Sequence, residues 1–203
     1  MSLEEYRKKR NFARTPEPPG DVRRAARRRA PIFVVQKHAA SRLHYDFRLE
    51  INGVLTSWAV PKGPSMNPAD KRLAVMTEDH PLEYADFEGV IPPGEYGAGT
   101  VMVWDQGWYE PAGDVPVDRQ LARGKIDVVL HGRKLRGGFT LIRTRTFSSG
   151  RSQTKNWLLV KQRDEYADSS WNIDAPSLSR SVLTGRTLDE IARGAARKAN
   201  SDT

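Results

Sequence analysis

The feature that most constrains the fold of this chain is a run of ten residues, 41–50, in which polar and apolar side chains alternate. Every second position is apolar and the positions between carry ionisable groups: Leu43, Tyr45, Phe47 and Leu49 alternate with His44, Asp46, Arg48 and Glu50. This period predicts a β-strand with an apolar back and an ionisable front, because a helix would distribute both sets around its axis.

The ionisable front of this strand carries candidate metal ligands. His44 and Asp46 are two positions apart, which separates them by about 6.6 Å along one face of a strand. At that spacing an imidazole and a carboxylate can converge on one cation about 2.0–2.2 Å from each. His38 precedes the strand, where a turn could return it as a third ligand, and Arg48 offers a fork suited to phosphate. The same residues also fit a solvated strand face with weak cross-strand pairs, so the pattern alone leaves both interpretations open.

Composition narrows the class of protein. The 203 residues are enough for one domain, and 13 prolines and 16 glycines favour many short elements joined by turns. A net charge of +8 and a pI of about 9.9 favour a polyanionic partner. The absence of cysteine excludes disulfides and thiolate chemistry. No apolar run approaches the length of a membrane span or of a signal-peptide core, so a cytoplasmic location without membrane contact is expected.

Residues 1–30 form a predicted basic N-terminal arm. A short helix over about Leu3–Lys9 ends before the proline-rich stretch 14–20, and arginine runs follow at 23–24 and 27–29. Two interpretations stay open: a solvated, disordered arm, or an arm that lies along a phosphate backbone.

Residues 31–165 carry the predicted core, and residues 166–203 a C-terminal extension with a short helix. Eight short strands are predicted, at about 33–38, 41–50, 54–60, 71–77, 99–105, 127–132, 138–144 and 156–161. This series favours a mostly β, single-domain antiparallel β-barrel with short flanking helices. Trp58, Trp104 and Trp157 lie within strands and are expected in its core.

Three local signals set the turns and the last helix. Asn52-Gly53 predicts a tight hairpin. The glycine-rich stretch 91–99 lacks the Gly-Lys-Ser/Thr ending of a phosphate-binding loop and is interpreted as another hairpin turn. Thr187 and Glu190 have the spacing of a capping box at the start of the C-terminal helix.

The chain resembles a known family, the 3′-phosphoesterase domain of bacterial DNA ligase D. The matching motifs follow one another along nearly the whole chain, at 34–38, 44–50, 57–65, 78–84, 87–89, 94–99, 157–161 and 181–188. The resemblance implies a β-barrel enzyme, usually manganese-dependent, that removes a terminal ribonucleoside from a primer-like 3′ end and then the remaining 3′-phosphate. Because 203 residues leave no room for a polymerase or ligase module, a free-standing form of the domain is expected.

The resemblance also implies roles for individual residues. The metal ligands would be His38, His44 and Asp46, the set that the strand pattern had already indicated. Mn²⁺ is the expected cofactor, although Zn²⁺ or Co²⁺ would suit the same ligands. The catalytic and phosphate-binding residues would be His80, Arg48, Tyr84 and Arg72, supported by Gln36, Lys62, Arg10, Asn11 and Glu17. Asn11 departs from the family, which usually has aspartate there, and an amide cannot act as a charged acceptor in the ribonucleoside-removing step.

Partners and alternatives follow from the same reasoning. The expected partners are DNA 3′ ends in a primer-template duplex, with a separate ligase, polymerase or end-binding protein, near the nucleoid. Trp108 and Trp171 are candidates for stacking on a base, and His131 is expected to be structural. The sequence shows no covalent nucleophile, which favours direct metal-assisted hydrolysis. Two other functions remain open: an inactive DNA-end-binding module that recruits a ligase, and an iron oxygenase with the same ligand types.

Overall fold

The computed structural model describes residues 3–20, 30–144 and 155–201, with side chains as far as residue 195. The arginine runs of the predicted arm lie outside these residues. Within them the chain has three α-helices, α1 (Glu4–Lys8), α2 (Val117–Arg123) and α3 (Leu188–Ser201), and 3-10 helices at Leu82–Asp86 and Pro176–Leu178. The strands are β1 (Ile32–Ala39), β2 (Leu43–Ile51), β3 (Val54–Val60), β4 (Arg72–Met76), β5 (Gly89–Ile91), β6 (Gly99–Pro111), β7 (Lys125–Gly132), β8 (Arg136–Arg143) and β9 (Asn156–Lys161).

Eight of these strands close into a barrel. Their order is β1-β2-β3-β4-β9-β8-β7-β6, every pairing is antiparallel, and β6 pairs back to β1. Closure gives every barrel strand a neighbour on both sides, and β5 adds a short ninth strand along Gly99–Val101, the part of β6 that β7 does not reach. The predicted mostly β, single-domain antiparallel barrel is therefore confirmed. The domain boundaries at residues 30 and 165 stay predictions.

The barrel interior is built from the apolar faces of its strands. One apolar cluster takes members from all eight barrel strands, including the fully buried Trp58, Trp104 and Trp157. The alternation of β2 is confirmed for Tyr45, Phe47 and Leu49, which join this cluster. Leu43, expected on the same apolar face, is instead 47% exposed, because it stands at the rim where the strand begins.

A second layer covers the outer face of β1, β2 and β3. The N-terminal segment 3–20, the 3-10 helix Leu82–Asp86 and β5 pack there around a separate apolar cluster that contains Tyr6, Val34 and Tyr84. Asp46 and Arg48 are only 7% and 3% exposed beneath this layer. The middle of the ionisable front of β2 is therefore buried, while His44 and Glu50 at its ends are partly exposed. The interpretation of a solvated strand face is wrong for Asp46 and Arg48.

The local signals in the sequence are largely confirmed. Asn52 and Gly53 both have positive φ, as a tight hairpin between β2 and β3 requires. Residues 92–98 connect β5 to β6 as a hairpin loop. At α3 the backbone N–H of Glu190 donates to Thr187 Oγ1, and the N–H of Thr187 donates to Glu190 Oε2, which is the predicted capping box.

Some elements differ from the expectation. The strand predicted to end near residue 105 continues to Pro111 as β6, and neither β5 nor α2 was expected. Gly124 ends α2 in the left-handed conformation, with φ of 81°, which is a common helix C-terminal signal. No helix in the described ranges combines the length and the apolar character that a membrane crossing needs.

The turn between β7 and β8 supplies a test of the fold. Asp105 is completely buried, and its carboxylate accepts the backbone N–H groups of Arg133, Lys134 and Leu135 at 2.8–3.1 Å. We expect Asp105→Ala to lower the free energy of unfolding by about 2–5 kcal/mol, because buried donors lose their acceptor. Urea unfolding followed by tryptophan fluorescence measures the change. The matched control Asp114→Ala removes an exposed carboxylate and should change stability by less than about 0.5 kcal/mol; equal effects would contradict the assignment.

Candidate active site

Three candidate ligands meet on the outer face of the barrel. Antiparallel pairing sets His38 directly opposite His44, with Asp46 two residues further along β2. His38 Nδ1 lies 3.6 Å from Asp46 Oδ2, and His44 Nε2 lies 3.7 Å from Asp46 Oδ1. The three ligand atoms all fall within 4.8 Å of one another. Two atoms that each bind a cation at about 2.0–2.2 Å lie at most about 4.4 Å apart, so both carboxylate contacts suit a shared ion.

The orientation of the two imidazoles is fixed by backbone carbonyls. His38 Nε2–H donates to the carbonyl of Gly97 at 2.9 Å, and His44 Nδ1–H donates to the carbonyl of Arg42 at 2.9 Å. In each ring the nitrogen that remains, Nδ1 of His38 and Nε2 of His44, faces Asp46. A donor on the far nitrogen is the usual outer support of a metal-binding histidine. The residues present therefore fit a divalent cation.

Asp46 is held in its charged form. Burial alone would raise its pKa, but Arg48 and the two histidines hold the pKa well below the ordinary value for aspartate. The closest partner is Arg48 Nη2, at 3.2 Å from Oδ2. Asp46 therefore offers the ionised carboxylate that a divalent cation needs.

Arg48 is more constrained than its sequence position indicates. Its Nε donates to Gln36 Oε1 at 2.9 Å, and its Nη1 donates to Ser57 Oγ at 2.7 Å and lies 2.9 Å from His80 Nδ1. Gln36 in turn donates to the carbonyls of Tyr84 and Phe87, so it joins β1 to the covering layer. Of the five N–H groups of the guanidinium, Gln36, Ser57 and Asp46 accept three, so one N–H remains on Nη2 for a ligand and one N–H on Nη1 faces His80.

His80 lies between two guanidinium groups. Its Nδ1 is 3.0 Å from the carbonyl of Glu78, to which it can donate, and its Nε2 is 3.2 Å from Arg10 Nη2, from which it can accept. Burial, followed by the positive charges of Arg48 and Arg10, lowers the pKa of His80 well below its ordinary value. The neutral imidazole is therefore the form that fits this environment.

The N-terminal segment brings a buried ion-pair network to the site. Arg10 Nε donates to Glu17 Oε1 at 2.8 Å, and Arg10 Nη1 lies 3.3 Å from Glu78 Oε1. Glu17 also accepts the hydroxyl of Tyr84 at 3.0 Å. Burial, and then the carboxylate of Glu17, raises the pKa of Tyr84 well above its ordinary value. The hydroxyl proton of Tyr84 therefore stays on the oxygen and is committed to Glu17.

The structure brings together most of the predicted site residues. A cavity of about 270 Å³ is lined by Arg10, His38, His44, Asp46, Arg48, His80 and Tyr84. Gln36 and Glu17 support it from behind through the contacts described above. Three residues lie elsewhere. Asn11 is exposed and accepts the N–H of Ala13, whereas Lys62 and Arg72 line a different cleft.

Sequence reasoning missed residues that the geometry adds to the site. Glu78, Tyr96 and Gly97 also line the cavity, and Ser57 holds Arg48 from β3. Tyr96 is half exposed at the rim, with Lys9 Nζ 4.7 Å from its ring centroid. Glu78 and Gly97 stand in stretches that matched the family, but only the folded chain shows that the carboxylate of Glu78 and the carbonyl of Gly97 reach the site.

Comparisons with known proteins point to one family. Residues 36–143 match the family model described as the DNA ligase D 3′-phosphoesterase domain. The multifunctional non-homologous end joining protein LigD of Pseudomonas aeruginosa is 50% identical over 202 residues, 97% of this chain. LigD of Mycolicibacterium smegmatis is 44% identical over 171 residues, and that of Mycobacterium tuberculosis 49% over 144 residues, covering 80% and 70% of this chain. The chain spans only 18–23% of the length of these relatives.

Metal binding can be tested without an activity assay. We expect the chain to bind Mn²⁺ and His44→Ala to lower the Mn²⁺ affinity by at least about 100-fold. Loss of a hydrogen-bond partner of a metal ligand lowers metal affinity by about 10–100-fold, and loss of the ligand itself should cost more. Isothermal titration calorimetry measures binding, and so does the electron paramagnetic resonance signal of free Mn²⁺ in solution. The matched control His131→Ala removes an imidazole that pairs with Glu110 on another part of the barrel; its affinity should equal that of the wild type. An unchanged affinity in His44→Ala would contradict the site.

Proposed function

Because the chain belongs to the 3′-phosphoesterase domain family of DNA ligase D, we propose that it is a metal-dependent hydrolase that heals DNA 3′ ends. It removes a 3′-terminal ribonucleoside from a primer-template end and then the remaining 3′-phosphate. The observation that carries the proposal is the convergence of His38, His44 and Asp46 beside the guanidinium of Arg48 in one cavity. These groups together suit a terminal phosphate and a cation.

The proposed cofactor is Mn²⁺, with Zn²⁺ or Co²⁺ as substitutes, held by His38, His44 and Asp46. Two nitrogen ligands and one carboxylate leave coordination positions for water and substrate. A divalent cation there would neutralise phosphate charge and activate a water molecule. The chain's own contribution is to hold the two imidazoles in their orientations, and Asp46 in its ionised form, before substrate arrives.

Two guanidinium groups bind and orient the phosphate in this proposal. Arg48 presents its remaining Nη2–H beside Asp46, and Arg10 presents Nη2 beside His80. Each is fixed by several hydrogen bonds, so neither loses much conformational entropy when it contacts a phosphate oxygen. Fixed positive charges stabilise the transition state because they need no reorganisation as negative charge develops.

His80 is the proposed proton donor to the leaving oxygen, which is the 5′-oxygen of the ribonucleoside in the first step and the 3′-oxygen in the second. A phosphate dianion beside Nε2 would offset the charges of Arg48 and Arg10, and this would raise the pKa of His80 toward its ordinary range. The imidazole could then hold a proton at Nε2 for the leaving oxygen. Tyr84, whose hydroxyl donates to Glu17, is assigned a positioning role that keeps Arg10 in place. We infer direct hydrolysis, without a covalent enzyme intermediate.

The cellular setting is part of the same proposal. The relatives are named as end joining proteins, and we propose that this chain acts on DNA ends at the nucleoid in the cytoplasm. A ligase, a polymerase or an end-binding protein would then act on the same ends.

The central test uses end-labelled primer-templates. With Mn²⁺ we expect a 3′-phosphate end to yield a 3′-hydroxyl, and a 3′-ribonucleotide end to yield first a 3′-phosphate and then a 3′-hydroxyl. His44→Ala should slow phosphate release by at least about 100-fold, and His131→Ala should leave it unchanged. DNA binding without product release in Mn²⁺, Zn²⁺ or Co²⁺ would support an inactive end-binding module instead. Turnover that requires iron, oxygen and a keto acid would support the oxygenase.

A second prediction concerns the departure at Asn11. We expect Asn11→Asp to speed ribonucleoside removal by about tenfold or more, while phosphate release stays the same. Position 11 is exposed outside the cavity but follows Arg10 in the chain, where a carboxylate could accept a proton from the terminal ribonucleoside. The two steps are timed separately on the two substrates above. Asn67→Asp is a matched control, since Asn67 also accepts the N–H of the residue two positions on. A similar gain in both variants, or none in either, would contradict a role for position 11.

A further inference from the structure

A second cleft opens at the barrel rim and shares no lining residue with the cavity of the proposed active site. This rim cleft, of about 360 Å³, is lined by Leu43, Tyr45, Lys62, Arg72, Trp171 and Asp174, with their neighbours. It forms where β2 begins, β3 ends and β4 begins, and residues 171–174 of the C-terminal region close one side. Nothing in the proposed chemistry uses it.

Two polar atoms at the rim cleft have no partner. The Tyr45 side chain is 2% exposed and its hydroxyl is buried without a hydrogen bond, and Arg72 Nε is likewise buried and unpaired. Among the described residues only four buried side-chain atoms lack a partner, and the other two are indole nitrogens of Trp58 and Trp157. A buried polar group without a partner costs about 1–3 kcal/mol. Two unpaired polar atoms at one cleft are available to a polar ligand.

The charges of the rim cleft are arranged by position. Lys62 is exposed and makes no hydrogen bond or ion pair among the described residues, and Arg72 pairs with Asp70 through Nη2 only. Asp174 lies on the opposite side, on the segment that carries Trp171. A phosphate would therefore be attracted to Lys62 and Arg72 and repelled from Asp174.

The remaining wall suits a planar apolar group. Trp171 is half-buried and packs edge-on against Trp104, with ring centroids 6.5 Å apart, and its indole N–H donates to the carbonyl of Pro64. Leu43, exposed at the start of β2, completes an apolar surface. An aromatic wall next to a phosphate-binding edge is the combination that binds a nucleotide of a single strand.

The rim cleft and the active site lie on opposite faces of the start of β2. His44 stands between Leu43 and Tyr45 in sequence, and its side chain points to the opposite face. Adjacent Cα atoms are about 3.8 Å apart, so a DNA strand that leaves the metal ligands would reach the cleft by passing over the end of β2.

We propose that the rim cleft is a second nucleic-acid subsite, which binds a nucleotide of the DNA substrate away from its reacting 3′ end. Trp171 stacks on the base, and Lys62 and Arg72 hold the phosphate. This inference rests on the proposed function for the nature of the ligand, but its binding test does not need catalysis. It also gives Lys62 and Arg72 a place on the substrate that differs from the reacting phosphate.

The first experiment measures binding of a fluorescent primer-template by anisotropy, in EDTA, so that turnover plays no part. We expect Trp171→Ala to weaken binding by about tenfold through loss of stacking. Tyr166→Ala, which removes an exposed aromatic side chain outside both sites, should bind as the wild type does. Lys62→Ala should lower the slope of log affinity against log salt by about 0.7–0.9. Lys125→Ala, an exposed lysine paired with Asp127, should leave the slope unchanged.

The second experiment locates the effect on the substrate. With Mn²⁺, we expect Lys62→Ala and Trp171→Ala to lower kcat/KM for a 3′-phosphate primer-template through a higher KM, and to affect thymidine 3′-monophosphate much less. Equal losses on both substrates, or wild-type DNA binding in both variants, would overturn the subsite. Binding of a free mononucleotide at the cleft without any effect on DNA binding would overturn the DNA subsite in favour of a site for a small effector. Failure of the wild type to turn over either substrate would overturn the proposed function and leave the binding result standing.

Discussion

Pairing of buried charges beneath the N-terminal segment is the constraint on which the geometry of the site depends. Arg10, Glu17, Asp46 and Arg48 are nearly or completely removed from solvent. An ionised group buried without a partner costs several kcal/mol, so each charge fixes the position of its counterpart. Each pair lies within one segment, Arg10–Glu17 in 3–20 and Asp46–Arg48 in β2. Arg10 also contacts Glu78 and His80, and these contacts join the segment to the site. The covering layer is thus an integral part of the site, although the sequence presented it as an appendage.

The sequence predicted the barrel well because its strands follow local rules. The period of two in β2, the Asn52-Gly53 hairpin and the capping box of α3 each depend on neighbouring residues alone, and each is found in the structure. β5 and α2 were missed for the opposite reason. β5 is three residues long and exists only because β6 offers an edge, and α2 is seven residues long, below the length at which a periodic pattern becomes distinct.

The family resemblance selected the site residues, but their contacts could not be predicted from it. The sequence predicted that Arg48 would be free to bind phosphate. In the structure Gln36, Ser57 and Asp46 accept three of its five N–H groups, and a fourth faces His80. Tyr84 gives its hydroxyl to Glu17, a residue 67 positions away. Such pairings depend on which segments meet after the barrel closes, and local sequence patterns do not indicate this. The same holds for Lys62 and Arg72, which the fold turns toward the barrel rim.

Closure of the barrel has a consequence for the order of events during synthesis. The candidate metal ligands are all translated by residue 46, but β1 must pair with β6, and the last gap closes only when β9 inserts between β4 and β8. The carbonyl that orients His38 belongs to Gly97, about fifty residues beyond the last ligand. A nascent chain on the ribosome therefore carries the ligand residues long before it can arrange them. A cation that binds at this candidate site would therefore bind late in folding and would not nucleate it.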